Sequence, residues 1–162
     1  MAAEQPGDLA RIDVRGAPAP GARYTSGLSI HDEALSHGRW IGRYWSANGF
    51  IEPERNLARL NDRFDLPLQA FSLDLDGQAL HYGWTHEGGG VEQTERGSQA
   101  AVRLRHTVRP VLLTINTVSD GTGYLVRWLE ITNTGDRPAA LGAVAPWAGL
   151  VGRALRWEET MP

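Results

Sequence analysis

From residue 100 to residue 147 the chain is a succession of short β-rich runs broken by polar turns, and few arrangements other than an antiparallel sheet accommodate that pattern. "AAVRLRHTV" (100–108), "PVLLTINTV" (110–118) and "GYLVRWLEITN" (123–133) are dense in Val, Leu, Ile, Thr and Trp, the residues that fit a pleated, half-buried surface. "SDGTG" (119–123) and "NTGDR" (133–137) carry Asn, Asp and Gly, which suit tight reversals through local side-chain hydrogen bonds and tolerance of positive φ. A fourth run, "PAALGAVAPW" (138–147), opens on a proline, which has no N–H for a ladder and suits a strand start. The pattern predicts a meander in the order 100–108, 110–118, 123–133, 138–147, each strand beside its sequence neighbour. On the third strand Leu129 and Ile131 face one way, and Trp128, Glu130 and Thr132 the other.

Upstream, "LQAFSLDLDGQALHYGW" (68–84) reads as a hairpin closing on Asp76-Gly77. "LSIHDEALSHGRWIGRYWSANGF" (28–50) reads as two short strands before an Asn48-Gly49 turn. Strict alternation puts Trp40, Gly42 and Tyr44 on one face and Ile41, Arg43 and Trp45 on the other. "IEPERNLARLNDRF" (51–64) suits either a short helix, with Pro53 in its first turn, or an irregular loop. The glycine-rich "EGGGVEQTERGSQ" (87–99) reads as a long loop. Residues 1–23, rich in Ala, Pro and Gly, read as a poorly ordered arm, although Ile12 and Val14 suit a short strand. The remainder, 24–162, reads as one domain.

The bulk composition sets limits. The 162 residues are 41% hydrophobic and 22% charged, with nineteen Gly, nine Pro and a net charge of -3. A globular all-β domain with many turns fits these values. The near-neutral charge gives no reason to expect nucleic acid or an anionic membrane as partner. The absence of cysteine excludes disulfides, thiolate metal sites and cysteine nucleophiles. No run approaches the ~20 apolar residues of a membrane helix, and no signal-peptide pattern opens the chain, so a soluble, cytoplasmic protein is the expectation.

Catalytic patterns are sparse. The five histidines (31, 37, 81, 86 and 106) form no H-x-H or H-E-x-x-H pair, so no metal site is expected. Asp74 and Asp76 are spaced like paired carboxylates, but Asp76 belongs to a turn. "EGGGVEQ" is neither a P-loop nor a dinucleotide fingerprint, no G-x-S-x-G occurs, and no cofactor is implied. No residue is assigned a catalytic role. The six tryptophans link the chain to carbohydrate, because an indole offers a flat apolar face to a pyranose. Trp40, Trp45 and Trp84 are the candidates, set against the simpler role of filling a sandwich core.

The stretch "HTVRPVLLTINTVSDGTGYLVRWLEITNTGDRPAALGAVAPWAGL", with the upstream "NLARLNDRFDLPLQAFSLDLDG", resembles the N-terminal β-supersandwich domain of α-galactosidase-like proteins of glycoside hydrolase family 36. The resemblance covers roughly residues 36 to 153. It implies a galactose-mutarotase-like antiparallel sandwich preceding a (β/α) barrel that carries two catalytic aspartates in a retaining mechanism. On that reading the chain is an incomplete fragment that stops before the barrel. Its implied partners are an α-galactoside-type carbohydrate, bound through the parent protein, and the missing barrel. Some family members line the sugar pocket with an Asp and an Arg from a "GDFR"-like loop. "DRFD" (62–65) echoes that phrase, which makes Asp62 and Arg63 further carbohydrate-binding candidates.

Three functions follow from this reading. The first is a non-catalytic domain that supports the barrel, pocket rim and assembly. The others are a free-standing carbohydrate-binding module and a structural sandwich without a sugar site. A coplanar pair of exposed Trp rings distinguishes the module, and a bare apolar patch near the C-terminus distinguishes the fragment. The uncharged run "AALGAVAPWAGLVG" (139–152) predicts such a patch, with self-association into a homo-oligomer through residues 139–157.

Overall fold

The computed structural model of the chain describes residues 9–50 and 69–148. Its strands are β1 (Ala10–Arg15), β2 (Gly21–Ser26), β3 (Ser29–Ser36), β4 (Arg39–Ser46), β5 (Ser72–Leu75), β6 (Gln78–Ala79), β7 (Trp84–Thr94), β8 (Gly97–His106), β9 (Val111–Ser119), β10 (Leu125–Asn133) and β11 (Leu141–Ala145). No helix occurs among the described residues. The strands form three sheets in the orders β1-β2-β3-β4, β10-β9-β8-β7 and β11-β5-β6. Every pairing is antiparallel. The all-β antiparallel sandwich read from the sequence is the fold.

One apolar core joins all three sheets. Tyr24 and Trp40 enter it from the first sheet, Val102, Leu104, Leu113 and Ile115 from the second, and Leu73 and Leu75 from the third. Inward and outward residues alternate along β8, where Ala100, Val102 and Leu104 are fully buried and Arg103 is exposed. Two-residue turns set the register of two hairpins. His37-Gly38 joins β3 to β4 and Asp76-Gly77 joins β5 to β6, all four residues at positive φ, the backbone that matches the twist of the flanking strands.

Four expectations need correction. β1 and β2 are regular strands, so residues 10–15 and 21–23 are not a disordered arm. The glycine-rich 87–99 segment is the body of a long hairpin, β7 with β8. The three glycines suggest a loop by local propensity, but one of them meets a tertiary demand. A Cβ on Gly89 would stand 2.8 Å from the Ala101 carbonyl oxygen and 2.9 Å from Val14 Cγ1, so only glycine lets β1 lie this close. The final strand does not extend the meander. β8, β9 and β10 follow one another as expected, but β11 pairs with β5. The Asp76 turn captures it: Asp76 N–H donates to the Ala140 carbonyl at 2.8 Å, and Ala140 N–H donates to Asp76 Oδ1 at 2.7 Å.

The fourth correction concerns β4. Its pairing with β3 slips between Asp32 and Glu33, so that Asp32 faces Tyr44 but Glu33 faces Gly42. The extra residue, Arg43, inverts the alternation beyond it. Trp45 therefore shares a face with Trp40, not with Ile41. The short helix or loop considered for 51–64 lies outside the described residues.

Two glycines at positive φ should respond very differently to alanine. At Gly97 (φ 116°) a Cβ would stand 2.2 Å from the Ser119 carbonyl oxygen, whereas at Gly77 (φ 74°) it would meet nothing within 4 Å. Gly77→Ala is expected to cost about 1 kcal/mol of backbone strain. Gly97→Ala is expected to cost roughly 3 kcal/mol or more, because a backbone ladder must move. Urea midpoints of the two variants check this ordering.

Candidate functional site

The densest chemistry lies between the first two sheets. Glu33 from β3 and Arg127 from β10 are both fully buried at their side chains. Arg127 Nη1 donates to Glu33 Oε1 at 2.5 Å, and Nη2 donates to Oε2 at 2.9 Å. This two-pronged geometry is the strongest a carboxylate and guanidinium form. Trp40 Nε1 donates to Oε2 at 2.9 Å, and His31 Nε2 lies 2.9 Å from Oε1. Arg127 Nε donates to Thr117 Oγ1 at 3.0 Å. The bulge in β4 assembles this group by bringing Trp45 round to His31.

Aromatic rings enclose the pair. The Arg127 guanidinium lies 3.8 Å from the Trp147 ring centre and 5.3 Å from that of Tyr24, both within cation–π range. His31 packs on Trp45 at 4.9 Å and on Trp147 at 5.1 Å. Trp147 follows β11, so the cluster ties the third sheet to the other two.

The electrostatics fix the role of this cluster. Burial pushes the Glu33 carboxyl up, but Arg127 and His31 outweigh it and hold it down at about 2. Burial also pushes Arg127 down, and Glu33 more than reverses it. Glu33 is therefore an ionised carboxylate with both oxygens engaged. It has neither a proton to give nor a free lone pair aimed at solvent, so the cluster is a clamp between sheets and not an acid/base centre.

A second carboxylate lies on the opposite side of β3. Asp32 is fully buried and meets Arg23 Nε at 2.8 Å, Arg15 Nη2 at 3.3 Å and Arg43 Nη1 at 3.5 Å. Asp76, an exposed turn residue, is taken up by Ala140 and by an ion pair with Arg109, and the Ala140 N–H is the main cause of its lowered pKa. The histidines are dispersed. His81 bonds Gln69, His86 stacks on Trp40, and His106 meets Trp84 edge-on and accepts from the Val108 and Arg109 amides. Among the described residues no group of three or more His, Asp or Glu side chains is placed to hold a metal ion.

The sugar candidates separate. Trp40 is fully buried with its N–H on Glu33, and Trp84 is core, its N–H donated to the Leu80 carbonyl. Neither presents a face to a ligand. Trp45 is half-buried and meets Trp147 at 5.5 Å with planes crossed at 83°, which is not the coplanar pair of a flat sugar platform. Asp62 and Arg63 lie outside the described residues. Sequence reasoning missed Glu33, Arg127 and Trp147. The available signal was parity: Arg127 shares the inward face of Leu129 and Ile131, where a charge demands a partner.

The third sheet ends differently. Along β11, Leu141 is 53% and Val144 38% exposed, and Gly142 and Ala143 are exposed too. Among the described residues β11 pairs only with β5, and its other edge has no strand. No family model, curated protein or solved structure matches the chain.

Removing one partner of the buried pair strands the other charge. Glu33→Gln is expected to cost about 3–5 kcal/mol, and adding Arg127→Met should return much of that loss. The Glu33 value in the folded chain lies below its ordinary 4.5. The contribution of the pair is therefore complete above that value and fades as pH falls toward 2. Melting temperatures across this range should fall more steeply for the parent chain than for the double variant.

Proposed function

We propose that the chain is a non-catalytic β-sandwich domain of an α-galactosidase-type carbohydrate-active protein, acting as a rigid support and docking surface for a catalytic body. The exposed apolar strand β11 carries this reading. A charge-free edge strand with Leu141 and Val144 in solvent is a liability that proteins ordinarily cover. Each square ångström covered contributes roughly 25 cal/mol, so a barrel seated here would gain several kcal/mol. The phrases "YLVRWLEITN" and "TGDRP", which resemble the family's N-terminal domain, support a glycosidase barrel as that body. The engagement of Glu33, Asp32 and Asp76 in internal contacts also favours a supporting role.

The purified chain is expected to release no product from an aryl α-galactoside above a no-enzyme control. Turnover would contradict the non-catalytic assignment. Paired Leu141→Lys and Val144→Lys changes should lower self-association in sedimentation without a loss of melting temperature. The decisive test is the reading frame beyond Pro162. A barrel with two active-site aspartates is expected, and a stop codon with no further domain would overturn the proposal.

A further inference from the structure

The outward face of the second sheet holds a feature that the clamp does not use. Trp128 on β10 stands opposite Asn116 on β9, Asn116 opposite Ala101 on β8, and Ala101 opposite Gly90 on β7. Side chains shrink along that row from an indole to an amide, a methyl and nothing. No atom lies within 4 Å of where a Gly90 Cβ would be. The face thus has a wall at β10 and an open floor over β8 and β7, about 10 Å across at two strand spacings.

The wall is chemically organised. The Trp128 indole is 37% exposed, and its Nε1 donates to Glu130 Oε1 at 3.2 Å. Asn116 Nδ2 donates to the same oxygen at 3.0 Å. Two donors hold the carboxylate in place and orient the ring, while the remaining lone pairs of the carboxylate stay available as acceptors. Arg103, exposed in the next row across from Glu130 through Thr114, adds a donor at the floor.

We propose that this face binds a neutral oligosaccharide, with the C–H face of one pyranose ring against Trp128 and a following ring over Ala101 and Gly90. The ligand class follows from the mixture. An apolar ring face beside a fixed acceptor and a cationic donor matches a molecule whose apolar face is rimmed by hydroxyls. Glu130 disfavours an anion, and the net charge of -3 disfavours nucleic acid. The choice of saccharide rests on the carbohydrate reading above, but this site is separate from β11.

The test follows the indole N–H resonances of the chain in two-dimensional NMR during titration with raffinose, maltohexaose and cellohexaose to about 10 mM. The Trp128 resonance should move saturably with at least one of them. Trp128→Ala, followed through the backbone amides of Ala101 and Gly90, and Gly90→Leu, which fills the floor, should each weaken binding by roughly tenfold or more. Unchanged Trp40 and Trp84 resonances would show that the variants fold. The proposal is overturned if no saccharide moves Trp128 or if both folded variants bind as the parent does. It is also overturned if Trp128 responds to protein concentration alone, which would mark a protein contact. Each of these failures leaves the supporting-domain reading intact, because that reading stands on β11 and the downstream frame.

Discussion

A buried carboxylate and guanidinium, Glu33 and Arg127, organise the sandwich. Bringing two charges out of water is costly, and only close geometry with every remaining donor and acceptor satisfied offsets it. That requirement propagates. Trp40, His31 and Thr117 must supply the other hydrogen bonds, and Trp147 must close over the guanidinium. The pair thus fixes how β3 meets β10 and selects one packing among the many that an apolar interface alone would permit. The rim of the interface repeats the logic with neutral groups. Ser29 Oγ donates to the Gly123 carbonyl at 2.6 Å, and Gly121 N–H donates to Ser26 Oγ at 3.0 Å. These contacts join the β2–β3 turn to the β9–β10 loop.

The molecule is asymmetric in how it treats its edges. The first two sheets are joined by polar bonds and a shared core, with buried carboxylates on both sides of β3. The third sheet buries β5 through Leu73 and Leu75 but leaves β11 bare. Both oxygens of Glu33 are hydrogen-bonded inside the fold, whereas Leu141 and Val144 stand in water. The proposed docking body would cover that apolar strand, and β11 therefore carries the functional proposal.

Much of this fold was legible in the sequence. Asp76-Gly77 marked its hairpin, and the alternation through β8, β9 and β10 gave their order and separated the two faces of β10. The misreadings share a cause: local signals were set aside by contacts distant in sequence. Gly89 looks like a loop residue until Val14 is packed against it. β11 looks like the next strand of a meander until the Asp76 turn takes Ala140. Trp45 looks like a neighbour of Ile41 on one face until one residue bulges from β4. The clamp was half legible, since Arg127 sits on an apolar parity, but Glu33 and Arg127 are 94 residues apart and nothing local pairs them. The sugar candidates were weighed by residue type alone, and type does not reveal that Trp40 and Trp84 point into the core.

If the clamp fixes the sheets to one another, the strands that carry it must open together. Native-state amide hydrogen exchange measures this directly, since each protected amide reports the free energy of the opening that exposes it. The account predicts that the ladder amides of β3 around Glu33 and of β10 around Arg127 exchange only through global unfolding, with one shared free energy and one shared urea dependence. Exchange of the β10 amides through a smaller, separate opening, while β3 stayed protected, would contradict it.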